Sequence, residues 1–242
     1  GIRRGEITTK IVSDGLVFHM DAANRASYPR IGTTITDTIG NIEGTLSGAS
    51  GDNNTPQWEN TNNGAFSFDG TDDIITTVYN SNYDLTGAQT FSFWFNQPSS
   101  QSGGSYPITF GSGSQIKFYI QFYDPIGRIM LILYDGSQSS ISPANLGINY
   151  VSNGWHQFAF TTDATTTADK VIMYFNGQPL STKGTLNNSG IFAAGAVGFN
   201  FGKIPNTGFF KGLMSNFQYY NRALSAEEVL YNYNGLRGRF GV

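Results

Sequence analysis

One dipeptide, Asn176-Gly177, set between two stretches of alternating character, constrains the fold of this chain most. After Gly154-Trp155-His156, Phe158 and Phe160 alternate with Gln157, Ala159 and Thr161. Beyond it, Val171, Met173 and Phe175 alternate with Ile172, Tyr174 and Asn176. A period of two puts successive side chains on opposite faces of a sheet, so both stretches read as strands. Asn tolerates, and Gly freely adopts, the positive φ that a two-residue turn needs at both central positions. Gln178-Pro179-Leu180 is therefore expected to return antiparallel to residues 170–176. Phe91, Phe93 and Phe95 against Ser92 and Trp94 repeat the pattern, as do Ile116, Phe118, Ile120 and Phe122 against Lys117, Tyr119, Gln121 and Tyr123. Ile129 to Tyr134, apolar on both faces, reads as a strand covered on each side. Phe93, Phe158, Met173 and Phe175 are expected in the core.

The rest of the 242 residues supports an all-β chain. Aromatics make up 14% and charged residues only 13%, with 30 Gly, which describes many short strands with polar turns. No fixed internal period appears, which excludes a propeller or solenoid and leaves a jelly-roll sandwich of two antiparallel sheets. Ile31 to Asn63 reads as long loops with one or two short strands, and Ser99–Ser105, Ser137–Asn145 and Asn187–Gly190 as loops. One helix stands out. Ser225 with Glu228 three residues on forms a capping box, and Val229, Leu230 and Tyr233 give an apolar side, with Gly235 expected to end it.

A net charge of −3 with scattered Lys and Arg offers no field for nucleic acid. Cysteine is absent, so no disulfide or thiolate metal site can form. No stretch approaches the roughly 20 apolar residues of a membrane span, and membrane insertion is not expected.

Four segments in order carry a family resemblance. Gly15-Leu16-Val17-Phe18-His19-Met20-Asp21-Ala22-Ala23-Asn24 with Ser27-Tyr28-Pro29, Phe66-Ser67-Phe68-Asp69-Gly70-Thr71-Asp72-Asp73, Trp155-His156 through Asn176-Gly177, and Gly212 to Ser225 resemble the laminin-G-like branch of the concanavalin-A-like lectin/glucanase superfamily. The resemblance implies a concanavalin-A-like jelly roll with one short C-terminal helix. Function is set by the site and not by such a fold.

Glucanases of that superfamily carry an E-x-D-x-E strand, whose outer carboxylates share one face and flank a glycosidic bond. This chain has no such motif: its Glu are Glu6, Glu43, Glu59, Glu227 and Glu228. His19 and His156 alternate within strands beside bulky apolar residues and read as packed or hydrogen-bonded side chains, not general bases. No catalytic residue is assigned, and the chain is read as non-enzymatic. Asp69, Asp72 and Asp73 form the densest carboxylate cluster. The resemblance makes them a calcium candidate, but without a regular ligand spacing the residues favour the plainer reading, Asp69-Gly70 in a hairpin with Asp side chains bonding nearby amides. Ser215 stands where the family often has an acidic residue. Tyr119, Gln121 and Tyr123 share the polar side of their strand, where flat rings beside an amide suit a sugar, or simply reflect β-propensity.

The G-L-V-x-x-x-D-A-x-N opening (Gly15–Asn24), the Y-N-R-A-L-S-x-x-E-V-x-x-N-Y-N ending (Tyr220–Asn234) and the G-R-F tail (Gly238–Phe240) are similar to tailed-bacteriophage virion proteins. That resemblance implies a non-catalytic structural protein, a capsid decoration or tail component, at the virion surface and assembled in the bacterial host cytoplasm. Its partners would be other virion proteins; a glycan ligand and a homo-oligomer stay open. A polysaccharide-degrading enzyme of the same superfamily, or a carbohydrate-binding module of a secreted adhesin, are the alternatives. The expected organisation is an N-terminal arm over 1–14, the sandwich over 15–224, and a short helix and tail over 225–242. Arg3, Arg4 and Lys10 at one end and Arg237 and Arg239 at the other are five of 14 basic residues, and are expected to fix the protein to its particle. A chain from Asp14 to Gly235 is then expected to fold with near-native melting.

Overall fold

The computed structural model describes residues 11–48, 55–83, 87–101, 104–112, 115–123, 127–134, 138–141, 150–151, 154–163, 171–180, 197–204 and 208–242. In chain order the strands are β1 (Leu16–Met20), β2 (Thr34–Thr36), β3 (Glu43–Ser47), β4 (Gln57–Glu59), β5 (Ala65–Asp69), β6 (Ile74–Thr77), β7 (Gln89–Asn96) and β8 (Ser105–Phe110). They continue as β9 (Phe118–Tyr123), β10 (Arg128–Tyr134), β11 (Gln138–Ile141), β12 (His156–Thr162), β13 (Val171–Phe175), β14 (Gln178–Pro179), β15 (Phe199–Phe201) and β16 (Lys211–Tyr220), followed by α1 (Ala226–Phe240). The first sheet runs β14-β13-β12-β7-β16-β5-β4, with β1 beside β16, and the second runs β11-β10-β9-β8-β15-β6-β3-β2. Their ladders are antiparallel. This is the two-sheet jelly roll that the alternating segments predict.

Asn176 and Gly177 take φ of 50° and 74° and turn β13 into β14, with Phe175 opposite Gln178 and Tyr174 opposite Pro179. Phe93, Phe158, Met173 and Phe175 are buried, as their alternation requires. The sheets meet over rings: Phe199 of β15 lies 5.1 Å from Phe18 of β1 and 5.5 Å from Phe91 of β7, and Phe93 of β7 reaches Phe122 of β9 at 6.4 Å. Such offset and tilted pairs add to the burial of each ring. The polar stretch over Ile31–Asn63 holds three strands, β2 to β4, more than its composition suggests. β2 and β4 end their sheets in order and have only three residues each, too few to show a period.

Ser92 and Trp94, on the other side of β7, are buried as well, because α1 covers the outer face of the first sheet. Trp94 stacks on Phe240 at 4.1 Å and on Tyr233 at 5.5 Å, and Trp155 and Leu236 complete the cluster. The helix therefore runs through Gly235 to Phe240 and ends at Gly241 with φ of 75°. A mid-helix Gly costs about 1 kcal/mol relative to Ala, whereas burying Leu236 and Phe240 contributes about 1.5–3 kcal/mol each. Burial wins, and the expected stop at Gly235 is wrong. At the other end the capping box is formed between Ser225 and Glu228. Arg222 forks onto the Glu228 carboxylate at 2.7 and 2.8 Å and meets Asp14 at 2.9 Å. That guanidinium holds Glu228 down at about 2. Of the N-terminal arm, Ile11 packs on the Trp94 cluster, while Val12 N donates to Asn232 Oδ1 at 2.8 Å.

Candidate functional site

With α1 on the first sheet, the outer face of the second sheet presents Tyr119, Gln121 and Tyr123 of β9. Phe118, Ile120 and Phe122 point into the core, so the alternation puts these three outward. Tyr123 is 41% exposed. Tyr119 lies between Tyr106 of β8 at 6.0 Å and Tyr134 of β10 at 6.2 Å, and Gln121 Nε2 donates to the Tyr106 hydroxyl at 3.1 Å. Burial pushes the Tyr119 phenol up to about 12, helped by Tyr134 and Tyr106, so it stays a neutral donor and acceptor. Tyr106, Tyr119 and Tyr134 thus form a row across three strands, with Gln121 bonded to the Tyr106 end of it. Tyr106 and Tyr134 were not legible as members of this face. Pro107 lacks an N–H and the β8–β9 register shifts between Ser105 and Ile108, which hides the alternation around Tyr106, and Tyr134 closes a run apolar on both faces.

Asp69, Asp72 and Asp73 come together at the rim, each offering a carboxylate oxygen within 4.8 Å of the others. They do not form the expected hairpin. β5 belongs to the first sheet and β6 to the second, so this segment steps between layers. Asp69 Oδ1 accepts from Thr71 N at 2.7 Å, and Asp73 Oδ2 accepts from Asp69 N at 2.8 Å, which is turn chemistry. However, Asp72 Oδ1 and Asp73 Oδ1 are buried without a hydrogen-bond partner. Burial, aided by the Asp69 and Asp72 charges and opposed by the bond from Asp69 N, pushes Asp73 up to about 6. Orphaned carboxylate oxygens at this spacing fit a hard cation that wants oxygen ligands.

A third polar cluster lies on the helix side. β16 pairs with β5 through Met214 and with β1 from Phe217, and at the change of partner Asn216 takes φ of 52°. Arg239 of α1 fills that break. Its Nη1 meets both Asp21 carboxylate oxygens at 2.8 Å, Nη2 donates to Gly64 O at 2.8 Å and Ser215 Oγ at 2.7 Å, and Nε donates to Asn62 O at 2.8 Å. Burial pushes Asp21 up, but Arg239, the Ala23 amide and Asn216 outweigh it and hold the carboxyl below its ordinary range. Gly64 has to be glycine: at φ of 145° a Cβ would come 2.5 Å from Ala22 O. Arg239 is therefore spent inside the domain and is not a particle-attachment residue. Arg237 is exposed, and Arg3, Arg4 and Lys10 lie outside the described residues. Ser215, in the family's acidic position, is one of the acceptors that seat Arg239.

His19 Nε2 lies 3.2 Å from Asn216 Nδ2, and Nδ1 lies 3.2 Å from Thr38 Oγ1; His156 packs between Phe95 and Phe175. Burial pushes both imidazoles below their ordinary value. A histidine with a depressed pKa contributes stability above its unfolded value of about 6.5 and loses it as pH falls through the folded value. Melting temperature should therefore decline from about pH 7 to about pH 5. Asp73, whose folded pKa is raised, works against this over the same window, so the decline should be steeper in an Asp73→Asn chain measured in chelator. Thermal melts across that range check both slopes.

The geometry defines a lectin-like antiparallel sandwich with a tyrosine-rich open face. A laminin G-type family model, described as the concanavalin A-like lectin/glucanases superfamily, matches residues 68–230, more than half of the chain, and the chain belongs to that superfamily. Among solved structures it is similar to domain 4 of an extracellular arabinanase from Geobacillus stearothermophilus in complex with arabinotriose, at 19% identity and a TM-score of 0.66 over 90% of this chain and 98% of that one. It is also similar to the binding domain of botulinum neurotoxin DC in complex with rat synaptotagmin II, at 15% identity and TM-score 0.67 over 92% and 52%. Trypanosoma rangeli sialidase in complex with the inhibitor DANA matches at 12% identity and TM-score 0.61 over 92% and 33%. The chain thus spans about half of the neurotoxin binding domain and a third of the sialidase chain. At these identities the likeness is one of fold. No curated protein matches the chain.

Proposed function

We propose that this chain is a non-catalytic recognition module that binds glycans through the outer face of its second sheet. The observation that carries this is the row of Tyr106, Tyr119 and Tyr134, with Gln121 bonded to Tyr106 and Tyr123 exposed on the same face. Sugar C–H groups stack on such rings while hydroxyls pair with the amide and phenols. The arabinotriose complex of the arabinanase domain supports a glycan ligand for this architecture. The missing E-x-D-x-E strand supports binding without hydrolysis. Within this reading the protein is displayed on a bacteriophage virion and assembled in the host cytoplasm, as the similarity of its opening and ending segments suggests. Arg237 and the basic arm are the candidates for contact with other virion proteins.

Capture on immobilised bacterial polysaccharides tests the glycan face. An aromatic contact of about 0.5–1.5 kcal/mol corresponds to roughly 2- to 12-fold in affinity. Tyr123→Ala should weaken capture by that factor with melting little changed, and Tyr119→Ala/Tyr123→Ala should weaken it by more. A double variant that binds like the parent would reject this face.

Calcium is proposed at Asp69, Asp72 and Asp73, where it would satisfy the orphaned oxygens and offset their mutual repulsion. A ligand at about 100 times its Kd adds about 2.7 kcal/mol, or roughly 5–10 °C for a domain of this size. Calcium should raise the melting temperature by that amount and chelator reverse it, with no response in Asp72→Ala/Asp73→Ala. An unchanged parent melt would remove the metal from the account.

A further inference from the structure

We propose that the cleft between β1, the break in β16 and the C-terminal half of α1 is a second ligand site, shaped for a short neutral saccharide. It lies on the opposite side of the sandwich from the tyrosine face, and does not depend on that face binding anything. Its volume is about 830 Å³, within the roughly 300–1,000 Å³ of small-molecule pockets. Asn24, Asn63, Asn216 and Asn234 line it. A primary amide both donates and accepts, which suits adjacent hydroxyls. The charges at its floor cancel, since Asp21 is paired with Arg239 at 2.8 Å, so a charged ligand finds no net counter-charge. Ile11 and Ala23, with the glycines of α1, give the cleft apolar surface beside its amides, which suits the C–H faces of a sugar ring.

The floor is pre-organised. Asn216 donates from Nδ2 to Asp21 Oδ2 at 3.0 Å and lies against His19 Nε2, and its Oδ1 accepts from Gln218 Nε2. Gln218 Oε1 in turn accepts from Asn232 Nδ2 at 3.1 Å, which joins the floor to the buried side of α1. Asn216 is buried and its amide is spent within this chain of bonds, so the floor stays fixed on binding while the exposed amides of Asn24, Asn63 and Asn234 offer the contacts. The helix wall is made by Gly235 and Gly238, one turn apart. Glycine is a poor helix former at both positions. Close packing does not demand glycine at 238, because a Cβ there would meet nothing within 4 Å. A larger side chain at that position would close the cleft.

The test follows the side-chain amide NMR signals of the four asparagines in the full chain. Glucose, galactose, N-acetylglucosamine, lactose, cellobiose and chitobiose are titrated in turn, with trialanine as the peptide control. At least one saccharide should shift the Asn216 and Asn234 signals saturably. Gly238→Trp should weaken that binding by about tenfold or more with melting unchanged or raised, and Asn234→Leu, at an exposed position, should weaken it in a chain whose core is untouched. Tyr123→Ala should leave it intact, which separates this site from the tyrosine face. The proposal is overturned if no saccharide moves these signals, if the shifts survive in both cleft variants, or if trialanine moves them and the sugars do not.

Discussion

A chain ended at Gly235 should melt at least about 10 °C below the full chain. Leu236 and Phe240 are 0% and 3% exposed, and removing buried Leu or Phe side chains costs about 2–5 kcal/mol each. Ending the chain there also deletes Arg239, which leaves the Asp21 carboxylate buried beside Asn216 with no counter-charge. Even with overlap between these losses, roughly 5 kcal/mol or more is expected, at about 2–4 °C per kcal/mol for a domain of this size. Trp94 and Trp155 would lose Phe240, which lies 4.1 and 4.7 Å from them. Their fluorescence should move to the red before heating begins. Thermal melts by circular dichroism, read beside tryptophan emission, check both effects. Near-native melting, as an anchor strip outside the core would give, would contradict the assignment of this segment to the domain.

The second large effect concerns Arg239 alone. Its side chain is 8% exposed and that of Asp21 10%, and breaking one side of such a pair costs about 3–5 kcal/mol because the other charge stays buried. Arg239→Met should therefore be severely destabilised, whereas Asp21→Asn/Arg239→Met should recover part of the loss, since no charge is then stranded. The double variant is expected to cost at least about 2 kcal/mol less than the sum of the singles. Arg239→Lys should not rescue. An ammonium cannot reach Asp21, Asn62 O, Gly64 O and Ser215 together as the planar fork does. Denaturant titration of the four chains measures the coupling, and additive losses would mean that the guanidinium does not hold the break in β16 through Asp21.

What the sequence showed and what it hid divide by range. Asn176-Gly177, the alternating phenylalanines of β7 and β12, and the Ser225–Glu228 cap are local patterns, each written within a few residues, and the structure contains them. The pairing of Asp21 with Arg239 joins positions 218 residues apart, and no local pattern announces it. Both residues were in view, one inside the opening segment and the other in what read as a tail. The tail does carry a signal: Val229, Tyr233, Leu236 and Phe240 continue the helical period through Gly235, and a period sustained by buried side chains outweighs one glycine. Asp69 to Asp73 was misjudged for a related reason. A short polar link between two strands looks the same whether they pair with each other or lie in opposite sheets. The tyrosine face was half legible, because β9 alternates cleanly while β8 is interrupted by Pro107.

The central claim is recognition without turnover on the tyrosine face. It is tested most directly by incubating the full chain with a polysaccharide that captures it, and following bound protein and released reducing ends in the same sample. The account predicts saturable binding that Tyr119→Ala/Tyr123→Ala weakens by more than Tyr123→Ala alone, with reducing ends that stay at the level of a protein-free control. Reducing ends that rise in proportion to protein, and fall when a carboxylate is replaced, would contradict it.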